Sequence, residues 1–273
     1  MCLIALAIAP SAGCPLLLAA NRDEFFQRPT QPLSRWHTPS GALVLGGRDL
    51  QAGGTWLGLS AQGRVAMLTN VREPGSLAGP RSRGDLPLAW LGGQQAPEAF
   101  LAGLEPQAYS GFNLVVGDLQ SGRWYWASNR QTSAEGISPG WQQRPLGPGL
   151  YGLSNAFLDT PWPKTEQLKS RLKAALTHPG EQAELLWSAL ADASPAPPEA
   201  LPNTGVSAEA ERHLSSAWVR FPDGRYGTRA STLMEASLTP QGLSVRMQEK
   251  TWLPEGGQAL REDTLAWPDS TAA

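Results

Sequence analysis

The chain opens with Cys2-Leu3-Ile4-Ala5-Leu6-Ala7-Ile8-Ala9, then Pro10-Ser11-Ala12-Gly13, then Leu16-Leu17-Leu18-Ala19-Ala20, then Asn21-Arg22-Asp23-Glu24. Two short apolar runs joined by turn residues predict a β-hairpin. Neither run alternates with polar residues, so both faces of its sheet are expected to be covered. With the turn centred between Ser11 and Ala12, paired residues have numbers summing to about 23, good to a residue or two. Cys2 is then expected opposite Asn21, and the polar cluster is delivered beside the first residues of the chain. Cys14 falls near the turn, opposite Ala9, which does not favour a Cys2–Cys14 disulfide.

Working outward, Thr55 to Leu59 and Val65 to Thr69 predict a second hairpin, and Phe112 to Val116 with Trp124 to Ala127 a third. Leu150 to Ser154 reads as a short strand ending at Asn155, and later strands are expected at Ala217 to Phe221, Ala230 to Ser237 and Leu243 to Gln248. Helices are expected at Asp85 to Leu91, Pro97 to Leu104, Lys164 to Leu176 and Gln182 to Ala191. In the third of these Leu168, Leu172 and Leu176 recur every fourth residue along one face. Ser194 to Thr204 is Pro-rich and reads as a surface loop. Antiparallel hairpins segregated from helices mean an α+β fold with sheets covered by helices. One domain is expected over residues 1–253, with a loosely held tail over 254–273.

Composition removes several classes of function. A net charge of -2 over 273 residues leaves no basic footprint for nucleic acid. No apolar run is long enough for a membrane-spanning helix. No Lys or Arg precedes Arg22, whereas a signal peptide wants a basic start. Two cysteines exclude a disulfide framework and a four-cysteine zinc site, and suit a reducing, cytoplasmic setting. Eleven Trp residues are expected in the core or as pocket walls, Trp56 among them.

No P-loop occurs, since no Gly is followed by Lys. Gly147-Pro148-Gly149-Leu150-Tyr151-Gly152 matches G-x-G-x-x-G, but it follows a Pro- and Gly-rich loop and leads into a strand. His37, His178 and His213 have no metal-ligand spacing. Cys2 remains. It reads either as a small buried strand residue or as a nucleophile. If Met1 is trimmed, thiol and α-amine share one residue. The amine, titrating near pH ~8, can take the thiol proton. Arg22, brought beside it by the hairpin, reads as a thiolate-stabilising guanidinium or as one half of a salt bridge with Asp23 or Glu24. Asn70 and Asn155 end apolar runs, as oxyanion donors or as caps.

Met1-Cys2-Leu3-Ile4, Ala20-Asn21-Arg22-Asp23-Glu24-Phe25, Gly46-Gly47-Arg48-Asp49, Gly53-Gly54-Thr55-Trp56-Leu57-Gly58, Thr69-Asn70-Val71-Arg72, Ser82-Arg83-Gly84, Gly152-Leu153-Ser154-Asn155 and Tyr226-Gly227-Thr228-Arg229 together resemble the NRDE family, that of transport and Golgi organisation protein two. The match runs from Cys2 to about Leu253. It implies an N-terminal nucleophile (Ntn) hydrolase-like αββα sandwich of two antiparallel sheets between helical layers. That fold is distantly similar to the choloylglycine hydrolase and penicillin acylase group. By that similarity Cys2 matches the nucleophile, Arg22 the nearby arginine, and Asn70 and Asn155 the two asparagines. The partner aspartate of those amidases falls three residues after the arginine; here that position is Phe25, and Asp23 adjoins Arg22. A distal arginine corresponds to Arg225 or Arg229, counted with Trp56 as ligand contacts. The resemblance implies an Ntn cysteine amidase, thioesterase or acyltransferase acting on a small hydrophobic or acyl substrate without a cofactor. Alternatively it implies a non-catalytic carrier of haem, acyl-CoA or lipid, with haem as cargo.

Overall fold

The computed structural model describes residues 2–133, 136–178 and 180–268. Contacts divide the chain into two compact units. One comprises Arg28–Gly147 and Ser154–Leu158; the other comprises Cys2–Gln27, Pro148–Leu153 and the chain from Asp159 onward. Each is built on one antiparallel sheet.

The opening hairpin forms in the second unit as β1 (Cys2–Ser11) and β2 (Cys14–Phe25). It lies inside a six-stranded sheet with β10 (Gly149–Leu153), β11 (Tyr226–Thr239), β12 (Gly242–Trp252) and β13 (Gln258–Pro268), in the order β10-β1-β2-β11-β12-β13. Leu3, Ala5, Ala7, Leu17 and Ala19 point to one face. They pack there against Leu168 and Leu172 of α3 (Pro163–Thr177) and Leu186 and Leu190 of α4 (Gln182–Leu190). The alternate residues Ile4, Leu6 and Ile8 are buried as well, as an uninterrupted apolar run demands.

The register differs from the expected one by one residue. The turn closes at Ser11↔Cys14, centred a residue later than predicted, and a bulge between Ile8 and Ser11 takes half of that shift back. Ala9 carries the bulge at φ 45°, a backbone conformation that non-glycine residues rarely adopt. From Ile8↔Leu16 to Cys2↔Arg22 paired numbers sum to 24, so Arg22, not Asn21, stands opposite Cys2. Both cysteines are reduced thiols.

The other unit holds a seven-stranded antiparallel sheet in sequence order: β3 (Thr30–His37), β4 (Leu43–Asp49), β5 (Leu57–Ser60), β6 (Arg64–Asn70), β7 (Phe112–Asp118), β8 (Arg123–Ser133) and β9 (Gly136–Leu146). Helices α1 (Asp85–Leu91) and α2 (Pro97–Ala102) cover one face through Leu86, Trp90, Phe100 and Leu101. Trp90 is fully buried, and its Nε1 donates to the Val65 and Gly117 carbonyls at 2.9 and 3.3 Å.

Two further expectations are corrected. Ala217 to Phe221 is not a strand; only Arg220 makes an isolated bridge, to Gly227. The stretch from Pro254 is not a loose tail throughout. Residues 258–268 form β13, which pairs along the whole of β12 and is pinned by the Arg246–Glu262 ion pair at 2.7 Å. Residues 269–273 lie outside the described residues. A short helix, α5 (Ala208–His213), follows the Pro-rich loop, capped by Ser207, whose oxygen accepts from the Ala210 N–H.

Candidate functional site

The cross-strand pair Cys2↔Arg22 sets both side chains on one face of the six-stranded sheet. Strand alternation brings Glu24 to that face too, and its carboxylate lies 3.8 Å from the Arg22 guanidinium. Cys2 is 7% exposed and Arg22 5%. Burial pushes the Cys2 thiol above its ordinary pKa; Asp23 and Glu24 add to the rise, and Arg22 opposes it. The Arg22 guanidinium favours the thiolate, and the Glu24 carboxylate beside it tempers that charge. The sequence offered Glu24 only as a salt-bridge partner of Arg22, which it is, and not as a residue of the thiol's face. The period-two alternation of a strand, applied to Arg22, would have found it.

Asn21 and Asp23 alternate to the helix-covered face. Asn21 Nδ2 donates to the carbonyls of Leu190 and Ala217, both at 2.8 Å, and its Oδ1 accepts from Ser231 Oγ at 2.6 Å. Asp23 Oδ1 accepts from Thr228 Oγ1 at 2.7 Å, and Thr228 Oγ1 in turn accepts from the Val219 N–H at 2.8 Å. Tyr226 OH donates to the Asp23 carbonyl at 3.1 Å. Apart from Leu190, which ends α4 and is 169 residues away, these partners lie on β11 and its approach, more than 190 residues away in sequence. No local pattern announces them. The four-residue motif at 21–24 therefore divides by parity: Arg22 and Glu24 share the thiol's face, while Asn21 and Asp23 lock β2 to β11 and to the end of α4.

Arg225 is exposed and paired with Asp223 at 2.8 Å within one turn. Arg229 occupies a bulge in β11, donates to the Phe25 carbonyl at 3.1 Å, and lies 5.7 Å from the Phe26 ring centre.

In the other unit the structure brings Asn70 and Asn155 together. Asn155 is fully buried and its Nδ2 donates to the Asn70 carbonyl at 3.0 Å. Around them Thr69 Oγ1 donates to the Ser154 carbonyl at 2.6 Å, and the Arg72 N–H donates to the Asn155 carbonyl at 2.8 Å. Asn113, not anticipated from sequence, is fully buried and donates to Thr69 Oγ1 and the Ala156 carbonyl. The segment 154–158 is thus bonded to the ends of β6 and β7. Trp56 is buried with its ring over Gly47, where an added Cβ would sit 2.3 Å from the indole. Gly54 similarly meets Gly84, backbone to backbone, at a distance that admits no side chain. The glycine-rich motifs of this unit therefore serve close packing.

Among the described residues no group of three or more His, Cys, Asp or Glu could hold a metal ion, and no helix is long and apolar enough to cross a membrane.

Solved structures similar to this chain include a mutant of conjugated bile acid hydrolase from Clostridium perfringens, with a TM-score of 0.52 at 9% identity, over 100% of this chain and 94% of that one. The likeness shows the fold class, the Ntn-hydrolase αββα sandwich implied by the motifs. Among curated relatives, the chain is 33% identical over 235 residues to the Bos taurus Transport and Golgi organization protein 2 homolog, covering 80% of this chain and 81% of that protein. It is 31% identical over 238 residues to the Homo sapiens homolog, with the same two coverages. The family model described as Transport and Golgi organisation 2 matches residues 1–254, and the chain belongs to that family.

Proposed function

We propose that the chain is an N-terminal-cysteine hydrolase or acyltransferase acting on an amide or thioester of a small hydrophobic acyl group. The observation that carries the reading is the buried cross-strand pair of Cys2 and Arg22 on one sheet face. Removal of Met1 exposes the α-amine of Cys2. That amine takes the thiol proton as Sγ attacks the acyl carbonyl carbon. The tetrahedral intermediate collapses, the C–N or C–S bond breaks, and the ammonium returns its proton to the leaving nitrogen or sulfur. Water, or an acceptor amine or alcohol, then attacks the Cys2 thioester, loses its proton to the amine, and releases the thiol. Arg22 favours the thiolate and the negative charge of the intermediate. Glu24 is assigned to balance Arg22, whereas orientation of the α-amine by Asp23, whose carboxylate is held by Thr228 on the opposite face, rests on the resemblance. Oxyanion donation by Asn70 and Asn155 rests on the resemblance alone, as does ligand contact by Arg225, Arg229 and Trp56.

Intact-mass spectrometry tests this reading. The expected results are loss of Met1 and, after incubation with acyl-CoA or N-acyl amide panels, one acyl adduct that Cys2→Ala abolishes. A retained Met1, or no adduct across broad panels with the α-amine exposed, would sink it.

One observation favours a second reading, carriage of haem or a related hydrophobic ligand. An open cleft of ≈ 750 Å³ in the second unit is lined by Trp187, Trp252 and Lys250, with Lys250 Nζ 4.5 Å from the Trp187 ring centre. Titration with haem would give a saturable, stoichiometric Soret shift that Trp252→Ala weakens and Cys2→Ala does not. Purely non-saturating binding removes this reading.

A further inference from the structure

A second cavity in the same unit, of ≈ 360 Å³, lies between the Pro-rich loop, the end of α5 and the segment leading to β11. It is in the size range of small-molecule sites. Its polar lining is Arg212, His213, Ser216, Trp218 and Arg220; Ala193 and Pro195 complete an apolar wall. Neither Cys2 nor Arg22 lines it, and no carboxylate does.

Three features of the lining point the same way. Arg212 makes no side-chain ion pair among the described residues. Arg220 is anchored by donation to the Pro254 carbonyl and by its position 5.6 Å from the Phe26 ring centre, contacts that steady the guanidinium without neutralising it. The Trp218 indole Nε1 is buried with no hydrogen-bond acceptor among the described residues, an arrangement that is unfavourable unless an acceptor arrives. Two guanidiniums and an indole offer only donors. His213 is engaged elsewhere, 4.0 Å from Glu209 and against the Phe221 ring. The cavity therefore presents donors and positive charge beside an apolar wall, with no carboxylate in its lining to match them.

We propose that this cavity binds a small organic oxyanion, a carboxylate or phosphate on an apolar or aromatic body, through Arg212, Arg220 and the Trp218 N–H. The anionic group meets the two guanidiniums and the body lies against Trp218 and Pro195. The apolar wall favours an aromatic carboxylate over inorganic phosphate. This site is independent of any reaction at Cys2.

Isothermal titration with phenylacetate, phenylacetamide and inorganic phosphate tests it. Phenylacetate is expected to bind saturably below about 10 mM. The neutral amide, which keeps the shape and loses the charge, is expected to bind at least about tenfold more weakly, and phosphate more weakly than phenylacetate. Arg212→Ala, at an exposed helix-end residue, is expected to weaken phenylacetate about tenfold or more, and Arg212→Lys to recover only part of that. Trp218→Phe, which keeps a ring and removes the N–H, is expected to weaken it roughly three- to tenfold. Cys2→Ala is expected to leave the affinity unchanged. Equal binding of the amide, no saturable binding of phenylacetate, an Arg212→Ala protein with wild-type affinity, or loss of binding on Cys2→Ala would each overturn the proposal.

Discussion

Replacing Asn21 by aspartate changes one atom and leaves the volume of a buried side chain unaltered, so the energetic consequence is electrostatic. In the wild type Nδ2 donates to the carbonyls of Leu190 and Ala217, both at 2.8 Å, while Oδ1 accepts from Ser231. Aspartate puts an oxygen where two carbonyls expect a donor. Each buried hydrogen bond left unmade costs about 1–3 kcal/mol, so two cost about 4 kcal/mol together. That is a large part of a usual stability of about 5–15 kcal/mol. The sign with pH follows from linkage. Two facing carbonyls raise the folded-state pKa of the new carboxyl above its unfolded value near 3.9, so the folded state binds more protons between the two. The deficit is therefore largest at neutral pH and shrinks as pH falls, because the protonated acid restores one of the two donations. Urea unfolding followed by circular dichroism, from pH 5 to pH 8, measures it against wild type. A variant within about 0.5 kcal/mol of wild type at pH 7, or a deficit that does not shrink in acid, would refute the assignment of these bonds.

Burial holds the Cys2 thiol above its ordinary value and Arg22 opposes the rise. Its alkylation rate should therefore still be climbing beyond about pH 8.5, and Arg22→Met should move that profile further up; a profile levelling at or below pH 8.5 contradicts this. Linked to folding, the raised thiol pKa contributes stability that is full below the unfolded value and lost as pH rises through the folded one. Glu73 is expected to behave in the opposite sense. Burial pushes its carboxyl up, but the Arg130 fork at 2.6 and 2.7 Å and the Gly111 N–H outweigh that and hold it below the usual range. Glu73→Gln should cost about 2 kcal/mol at neutral pH, with the gap to wild type closing as pH falls below about 4.3; a gap independent of pH argues against it. Gly54→Ala places a Cβ 2.6 Å from the Gly84 backbone. It should cost about 1–3 kcal/mol by thermal melting, whereas Gly147→Ala, which meets open space, should stay within about 0.5 kcal/mol.

Elements with strong periodicity or paired turn signals were legible. The opening hairpin, the hairpins β5–β6 and β7–β8, and the helices at 85–91, 163–177 and 182–190 fall within a few residues of their expected bounds. Elements without an apolar pattern were not. β9 carries Pro139 and Pro145 and is exposed along most of its length. In β13 only Leu265 is buried. β3 contains Pro32 and carries a bulge between Gln31 and Ser34. These edge and near-edge strands are held by partners already in place, so pairing, not composition, decides them. Ala217 to Phe221 shows the converse. Ala217 and Val219 are buried, yet the segment makes no ladder, because burial does not require strand geometry.

The opening residues alone determined that a hairpin would bring Arg22 close to Cys2, because two apolar runs and one turn leave only a residue or two of slack in the register. Only the tertiary structure decided which residue faces the thiol. A bulge at Ala9 resets the pairing by one, and a one-residue slip in a strand exchanges the two faces. It also decided that Asn21 and Asp23 serve the sheet while Arg22 and Glu24 stay with Cys2, since Ser231 and Thr228 arrive from β11. The cavity at Arg212, Trp218 and Arg220 had no signal in the sequence at all. Cavities are made where irregular segments meet, and their residues carry no period of their own.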